Sequence, residues 1–142
     1  MSEGGPREAR GILVTHGAMA YAMVDAVLRF TGIGEEVLIP VSNDGKRPEE
    51  LRDEILGLLD EGPTLVLTDL GAGSCTLAAR LGCQDRQRVA LVTGVNLPML
   101  LDFVFHRSLP LDELAARLVD KGRAGVLLLT SPGSHADPPV SR

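Results

Sequence analysis

The strongest constraint on this chain is its alternation of short apolar runs with apolar stripes at helical spacing. Residues 11–15, 37–39, 64–68, 89–93 and 126–129 are runs rich in Val, Leu, Ile and Thr, of strand length and too short for helices. Between them, Val24, Val27 and Leu28 share a face of a helix expected over residues 20–30. Leu51, Ile55, Leu58 and Leu59 fall at i, i+4, i+7 and i+8, and Leu111, Leu114, Leu118 and Val119 form a further stripe. Strands that are apolar throughout are buried on both faces, and helices between them supply the crossovers of a parallel sheet. Right-handed crossovers then put helices on both faces. The reading is a single-domain α/β fold with a mainly parallel sheet of five strands.

Punctuation sets the expected boundaries. Gly32 and Gly34 break the first helix, Pro40 closes the second strand, and Pro48 opens the second helix. Ser74 is expected to cap a helix through Leu81, a further helix spans about residues 98–105, and Gly122 stops the last. Residues 1–10 and 131–142 are polar and rich in Gly or Pro, and are read as flexible tails around a domain at 11–130.

Composition narrows the function. The 142 residues suit one domain, and 14 basic against 19 acidic side chains leave a net charge of −5. One Tyr, three Phe and no Trp on an acidic chain argue against nucleic acid, which calls for clustered cations and stacking faces. No apolar run reaches the roughly 20 residues of a membrane helix, and the first ten residues lack the apolar segment of a signal peptide. Cys75 and Cys83 have no metal-binding or redox spacing, and are read as a pair of small buried side chains. A lowered thiol pKa at a helix start is the minor reading for Cys75. The protein is therefore expected to be reduced and cytoplasmic, with no metal or other cofactor.

In open parallel sheets, chemistry gathers at the carboxyl ends of the strands. Thr15-His16-Gly17-Ala18 follows the first strand, Asp69-Leu-Gly-Ala-Gly-Ser74 the third, and Thr93-Gly-Val-Asn-Leu-Pro-Met99 the fourth. A carboxylate at Asp69 can hold one nitrogen of His16 and leave the other as a nucleophile or base. Gly17, Gly73 and Ser74 offer backbone N–H groups and a hydroxyl near helix starts, a setting that receives a phosphoryl group. The glycines around residue 71 do not form a P-loop or dinucleotide fingerprint, and Ser74 lacks the following glycine of a nucleophile elbow. An aspartyl-phosphate receiver is disfavoured because no acid stands at the end of the first strand. His106, near a helix end, suits the helix dipole better than chemistry, and His135 lies in the tail.

These loops carry a resemblance. Gly11-Ile-Leu-Val-Thr-His-Gly17, Asp69-Leu-Gly-Ala-Gly-Ser74, Thr93-Gly-Val-Asn-Leu-Pro-Met99 and Lys121-Gly-Arg-Ala-Gly-Val126 occur in the same order as four segments of a known family. That family is the mannose-family IIA domains of the bacterial phosphoenolpyruvate-dependent sugar phosphotransferase system. The chain resembles it over residues 11–129. The resemblance implies a phosphocarrier in which His16 accepts a phosphoryl group from phospho-HPr and passes it to a IIB domain, serving a membrane sugar permease indirectly. It implies that Asp69 orients His16, that Ser74 belongs to the phosphate loop, and that no metal takes part. It also implies a homodimer in which residues 126–129 exchange as a last strand between subunits. Ala72 stands where the family has Gly, Cys75 where it has Pro, and Leu77 where it has Asn. The alternatives are a phosphoryl-donor subunit of dihydroxyacetone kinase and a regulatory protein whose His16 phosphorylation is read by a partner.

Overall fold

Four of the five apolar runs form strands, joined by helices in the expected alternation. The computed structural model describes residues 7–130 apart from residue 85. In chain order the elements are β1 (Arg10–Thr15), α1 (Met19–Thr31), β2 (Leu38–Ser42), α2 (Pro48–Leu58), β3 (Thr64–Thr68), α3 (Ser74–Cys83), β4 (Val89–Thr93), α4 (Leu97–Phe105) and α5 (Leu111–Ala124). Among the described residues the sheet has the order β2-β1-β3-β4, and every neighbouring pair is parallel.

Strand pleating divides the core in two. Leu13, Leu65 and Leu67 point to one face, where α1, α4 and α5 contribute Val24, Val27, Leu100, Phe103, Leu114 and Leu118. Ile12, Val14 and Val66 point to the other, against Leu51 and Ile55 of α2 and Cys75, Ala78 and Ala79 of α3. Helices thus cover both faces, as the uniformly apolar strands require. At Gly11 a Cβ would lie 2.8 Å from Leu38 Cδ1 and 3.1 Å from the Phe103 ring, so this close strand–helix approach excludes a side chain.

The strand order places a topological switch between β1 and β3. From β1 the chain passes to β2 on one side, and β3 then returns to the other side of β1. A crevice opens at such a point because the two crossovers leave in opposite directions. The loops after β1 and β3, which carry His16 and Asp69, flank this crevice.

Several boundaries differ from expectation for identifiable reasons. Ala9 and Arg10, assigned to the tail on composition, belong to the domain. Ala9 is buried and its N–H donates to the Arg107 carbonyl, and Arg10 begins β1. Pro40 does not close β2 but lies within it. β2 is an edge strand, where a residue without an N–H forfeits no ladder bond on its outer side. Leu28 is half-exposed instead of facing the core with Val24 and Val27. Gly122 does not stop α5. It is buried within the helix, which runs on to Ala124. Residues 126–129 form no strand within this chain. They stand 71–88% exposed, paired with no edge of the described sheet. The segments 1–6 and 131–142, including His135, lie outside the described residues.

Candidate functional site

β1 delivers His16 and β3 delivers Asp69 to the same crevice. The carboxylate oxygen Oδ2 of Asp69 accepts two hydrogen bonds from His16: one from the backbone N–H at 2.9 Å and one from ring Nδ1 at 2.8 Å. An ionised carboxylate only accepts, so this contact places the imidazole proton on Nδ1 and the ring lone pair on Nε2. Burial pushes the Asp69 carboxyl up, but the hydrogen bonds from the His16 N–H and ring, with the charge of His16, outweigh it. The net effect holds Asp69 below the usual carboxylate range. The Asp69 side chain is only 8% exposed, whereas that of His16 is 39% exposed. The pair therefore has a buried anchor and an accessible ring.

Nε2 faces the start of α3. The Ser74 hydroxyl lies 3.5 Å from it, and a Cβ on Gly73 would stand 3.7 Å away. Gly73 has φ +99° and ψ −179°, a conformation essentially confined to glycine, and is the residue before the first helical turn. Ser74 was expected as the cap. It is instead the first helical residue, and its hydroxyl meets Asn43 Nδ2 and His16 Nε2. The hydroxyl is consequently turned to the histidine. The first bond of α3 runs from Leu77 N–H to the Gly73 carbonyl, so the N–H groups of residues 74–76 have no partner within the helix. They form the positive end of the helix dipole beside Nε2, the arrangement that favours a bound anion.

The supporting loops are tied down by side chains. The Thr68 and Thr76 hydroxyls bond each other at 2.7 Å, and Thr76 also donates to the Leu70 carbonyl, holding the loop between Asp69 and α3. The Thr15 hydroxyl accepts from Ala20 N–H at 2.7 Å and steadies the start of α1. Gly17, with φ +61°, turns the chain out of β1. Its N–H donates to Asn43 Oδ1 at 3.1 Å, and Asn43 Nδ2 donates to the Ser74 hydroxyl at 3.4 Å. Gly17, Gly73 and Ser74 thus all border His16, with Asn43 as the bridge.

Asn43 is a residue of the site that its own segment does not announce. It follows β2 at the same sheet edge as His16 and Asp69. Ending the second strand at Pro40 had put it three residues into a loop, away from the strand ends. Extending that strand through Ser42 would have revealed it. Cys75 has two readings from sequence, a small buried side chain and, less favoured, a thiol activated at a helix start. It is buried and lies 3.7 Å from His16 Nδ1. Burial, then the charge of Asp69, push its thiol up to about 11, and burial raises Cys83 to about 11 as well. The reading of Cys75 as an activated thiol is thereby overturned: near a buried carboxylate, desolvation defeats the helix dipole. His106 lies away from this site, with Nδ1 donating to the Asp102 carbonyl at 2.9 Å at the end of α4.

Comparison with known proteins bears on this arrangement. The family model described as the PTS system fructose IIA component (EIIA-man) matches residues 11–119. Among curated proteins, the PTS system mannose-specific EIIAB component of Escherichia coli K12 is 29% identical over 124 residues. The same figures hold for the Shigella flexneri protein of that description. These matches cover 83% of the present chain but only 38% of either relative. Among solved structures, the mannose/sorbose-specific IIA subunit from Enterococcus faecalis has a TM-score of 0.77 at 24% identity, covering 90% of this chain and 99% of that one. The EIIA component from Streptococcus agalactiae has a TM-score of 0.77 at 21% identity, covering 84% and 95%. The structural likenesses establish the fold. The family match spans both β1 with His16 and the loop from Asp69 to Ser74.

Proposed function

Because the chain belongs to the EIIA-man family of phosphotransferase-system IIA components, a phosphotransferase family, we propose that it is a phosphocarrier whose acceptor is Nε2 of His16. The observation that carries this reading is the 2.8 Å contact between His16 Nδ1 and Asp69 Oδ2, with the opposite ring nitrogen turned toward Gly73 and Ser74. Asp69 fixes the tautomer that leaves the Nε2 lone pair free, and its charge compensates the positive charge that grows on the ring during attack. Gly73, Ser74 and the unbonded N–H groups of α3 border the incoming phosphoryl oxygens, whereas the Gly17 N–H expected there is taken up by Asn43 Oδ1 and Gly17 serves the turn. In transfer from one histidine to another, the N–P bond of the donor breaks as the N–P bond to His16 forms. The protein's task is alignment and charge stabilisation.

The donor in this reading is phospho-HPr, and the recipient is a IIB domain that phosphorylates an incoming sugar at a membrane permease. A cytoplasmic location agrees with these partners, and no described helix is long and apolar enough to cross a membrane. The functional unit is residues 11–130, to which Ala9 and Arg10 are added. A homodimer supplies the cover for residues 126–129: these exposed apolar side chains follow α5 beside a groove of about 560 Å³ that includes Leu91, Thr93 and Val126 along the open edge of β4. The regulatory alternative draws support from Leu77, which is 54% exposed beside the phosphate loop and replaces the family's asparagine.

The test is phosphotransfer from phosphoenolpyruvate through enzyme I and HPr, with mass spectrometry of the modified residue. His16→Ala should abolish acid-labile, alkali-stable label, and His106→Ala should retain it. Full labelling of the His16→Ala protein would overturn the assignment.

A further inference from the structure

Three atoms of metal-ligating type converge on the inner side of the imidazole. His16 Nδ1, a carboxylate oxygen of Asp69 and Cys75 Sγ all lie within 4.8 Å of one another. The linear spacing of Cys75 concealed this, because the other two residues arrive from β1 and β3. A second observation is independent of that cluster: Oδ1 of Asp69 is buried and has no hydrogen-bond partner. It belongs to a side chain that is only 8% exposed. An unpaired oxygen in such surroundings is costly, and a cation held by both oxygens of the carboxylate, Oδ1 as well as Oδ2, is one means of satisfying it.

The donor set selects the kind of cation. One imidazole nitrogen, one thiolate sulfur and one carboxylate oxygen suit Zn²⁺ and exclude the all-oxygen preference of Mg²⁺ and Ca²⁺. Zinc bonds of ~2.0 Å to nitrogen and ~2.3 Å to sulfur, at a tetrahedral angle, separate those two ligands by about 3.6 Å. The Nδ1 to Sγ distance is 3.7 Å. The corresponding nitrogen–oxygen separation is about 3.3 Å, against 2.8 Å in the hydrogen-bonded pair. The ring must therefore withdraw slightly, and it has solvent on its outer side, being 39% exposed. A doubly charged ion with one carboxylate and one thiolate forms a neutral buried unit, and water completes the fourth position.

We propose that His16, Asp69 and Cys75 form a three-ligand site for a zinc-class divalent cation, and that its occupation replaces the hydrogen bond between His16 and Asp69. On binding, the Cys75 thiol releases its proton to solvent and the sulfur takes the metal. Nδ1 loses its proton to solvent so that its lone pair binds the metal, and Nε2 takes up a proton from solvent, which keeps the imidazole neutral. The ring nitrogen that faces Gly73 and Ser74 is then protonated and has no lone pair for attack. This consequence rests on the phosphocarrier reading, under which the cation switches the acceptor off. The binding site itself does not depend on that reading.

The test is a titration of the reduced full-length chain with Co²⁺ as a spectroscopic probe, followed by competition with Zn²⁺. A thiolate-to-cobalt charge-transfer band with tetrahedral d–d absorption should saturate at a single equivalent and disappear as Zn²⁺ displaces the probe. Cys75→Ala should lose the charge-transfer band and weaken binding by about tenfold or more, and Cys83→Ala should retain both. His16→Gln, a change at a half-exposed side chain, should weaken binding similarly and serves if Cys75→Ala does not fold. Absence of the band in the wild type, its persistence in Cys75→Ala, or its loss in Cys83→Ala would overturn the site. None of these readouts uses phosphotransfer, so failure of the carrier reading registers separately.

Discussion

Asp69→Asn separates the charge of the carboxylate from its shape. A single oxygen, Oδ2, accepts both the His16 backbone N–H and Nδ1–H. The asparagine must therefore keep its carbonyl oxygen in that position, and its amide NH₂ falls where the buried, unpartnered Oδ1 now lies. The tautomer of His16 is preserved, but two charge-assisted hydrogen bonds become neutral and two amide hydrogens are buried without acceptors. Charge-assisted bonds contribute ~1.5–3 kcal/mol against ~0.5–1.5 for neutral ones, and unsatisfied buried groups cost ~1–3 kcal/mol. The orphaned amide replaces an orphaned oxygen, so that cost largely cancels, and the two weakened bonds leave a loss of about 2–3 kcal/mol of stability at pH 7 in urea denaturation. The folded Asp69 carboxyl sits below its ordinary value. Its contribution is therefore complete above the unfolded value of ~3.9 and is lost as the pH falls through the lower folded value. The gap between wild type and variant should narrow over that acidic window. Loss of about 1–1.5 kcal/mol from the ring bond should slow transfer from phospho-HPr roughly tenfold in rapid-quench assays. Nitrogen NMR should still find the His16 proton on Nδ1. Equal stability, equal acid dependence and an unchanged transfer rate would show that Asp69 is only a turn residue.

Three further outcomes follow from the packing and the loops. Gly73→Ala forces a residue with a Cβ into φ +99°, ψ −179°, at a cost of ~1–3 kcal/mol. It should reduce labelling of His16 sharply while circular dichroism keeps the helical signal, and full labelling would refute a need for glycine there. Gly122→Val places a Cβ 2.6 Å from Met99 Cε and 3.4 Å from Asn96 Oδ1, the oxygen that caps α4. Urea denaturation should show a loss of about 1–3 kcal/mol. Removal of residues 126–142 should convert a dimer to a monomer in light scattering. A wild-type mass that stays monomeric across micromolar concentrations would reject the dimer.

Most of the layered architecture was legible because it depends on local periodicity. Residues 64–68 and 89–93 are runs of Val, Leu, Ala and Thr and form β3 and β4 with those bounds; β3 is buried throughout, whereas β4, at the sheet edge, is only partly buried. Leu51 and Ile55, and Leu114 and Leu118, bury the helical faces that their spacing announced. His16, Asp69 and Ser74 were identifiable from their positions after strands and before a helix, and they converge at the crevice between β1 and β3. Features that depend on neighbours distant in sequence were not legible. Pro40 stays within a strand only because β2 is at an edge. Gly122 sits inside α5 because Met99 and Asn96 of α4 come close to it, a contact that a local rule reads as a stop. Asn43 reaches Gly17 and Ser74 only after two crossovers bring their loops together. Cys75 lies beside His16 for the same reason, and burial next to Asp69 reverses the reactivity that its helix start suggested. Residues 126–129 have the composition of a strand, but an apolar run becomes one only where a sheet edge accepts its backbone hydrogen bonds, and within this chain they pair with neither edge of the sheet. Side-chain spacing along one segment therefore determined the elements and their faces. The contacts between segments, where desolvation and steric fit act over long sequence separations, decided the site's second ring of residues and the fate of the last apolar run.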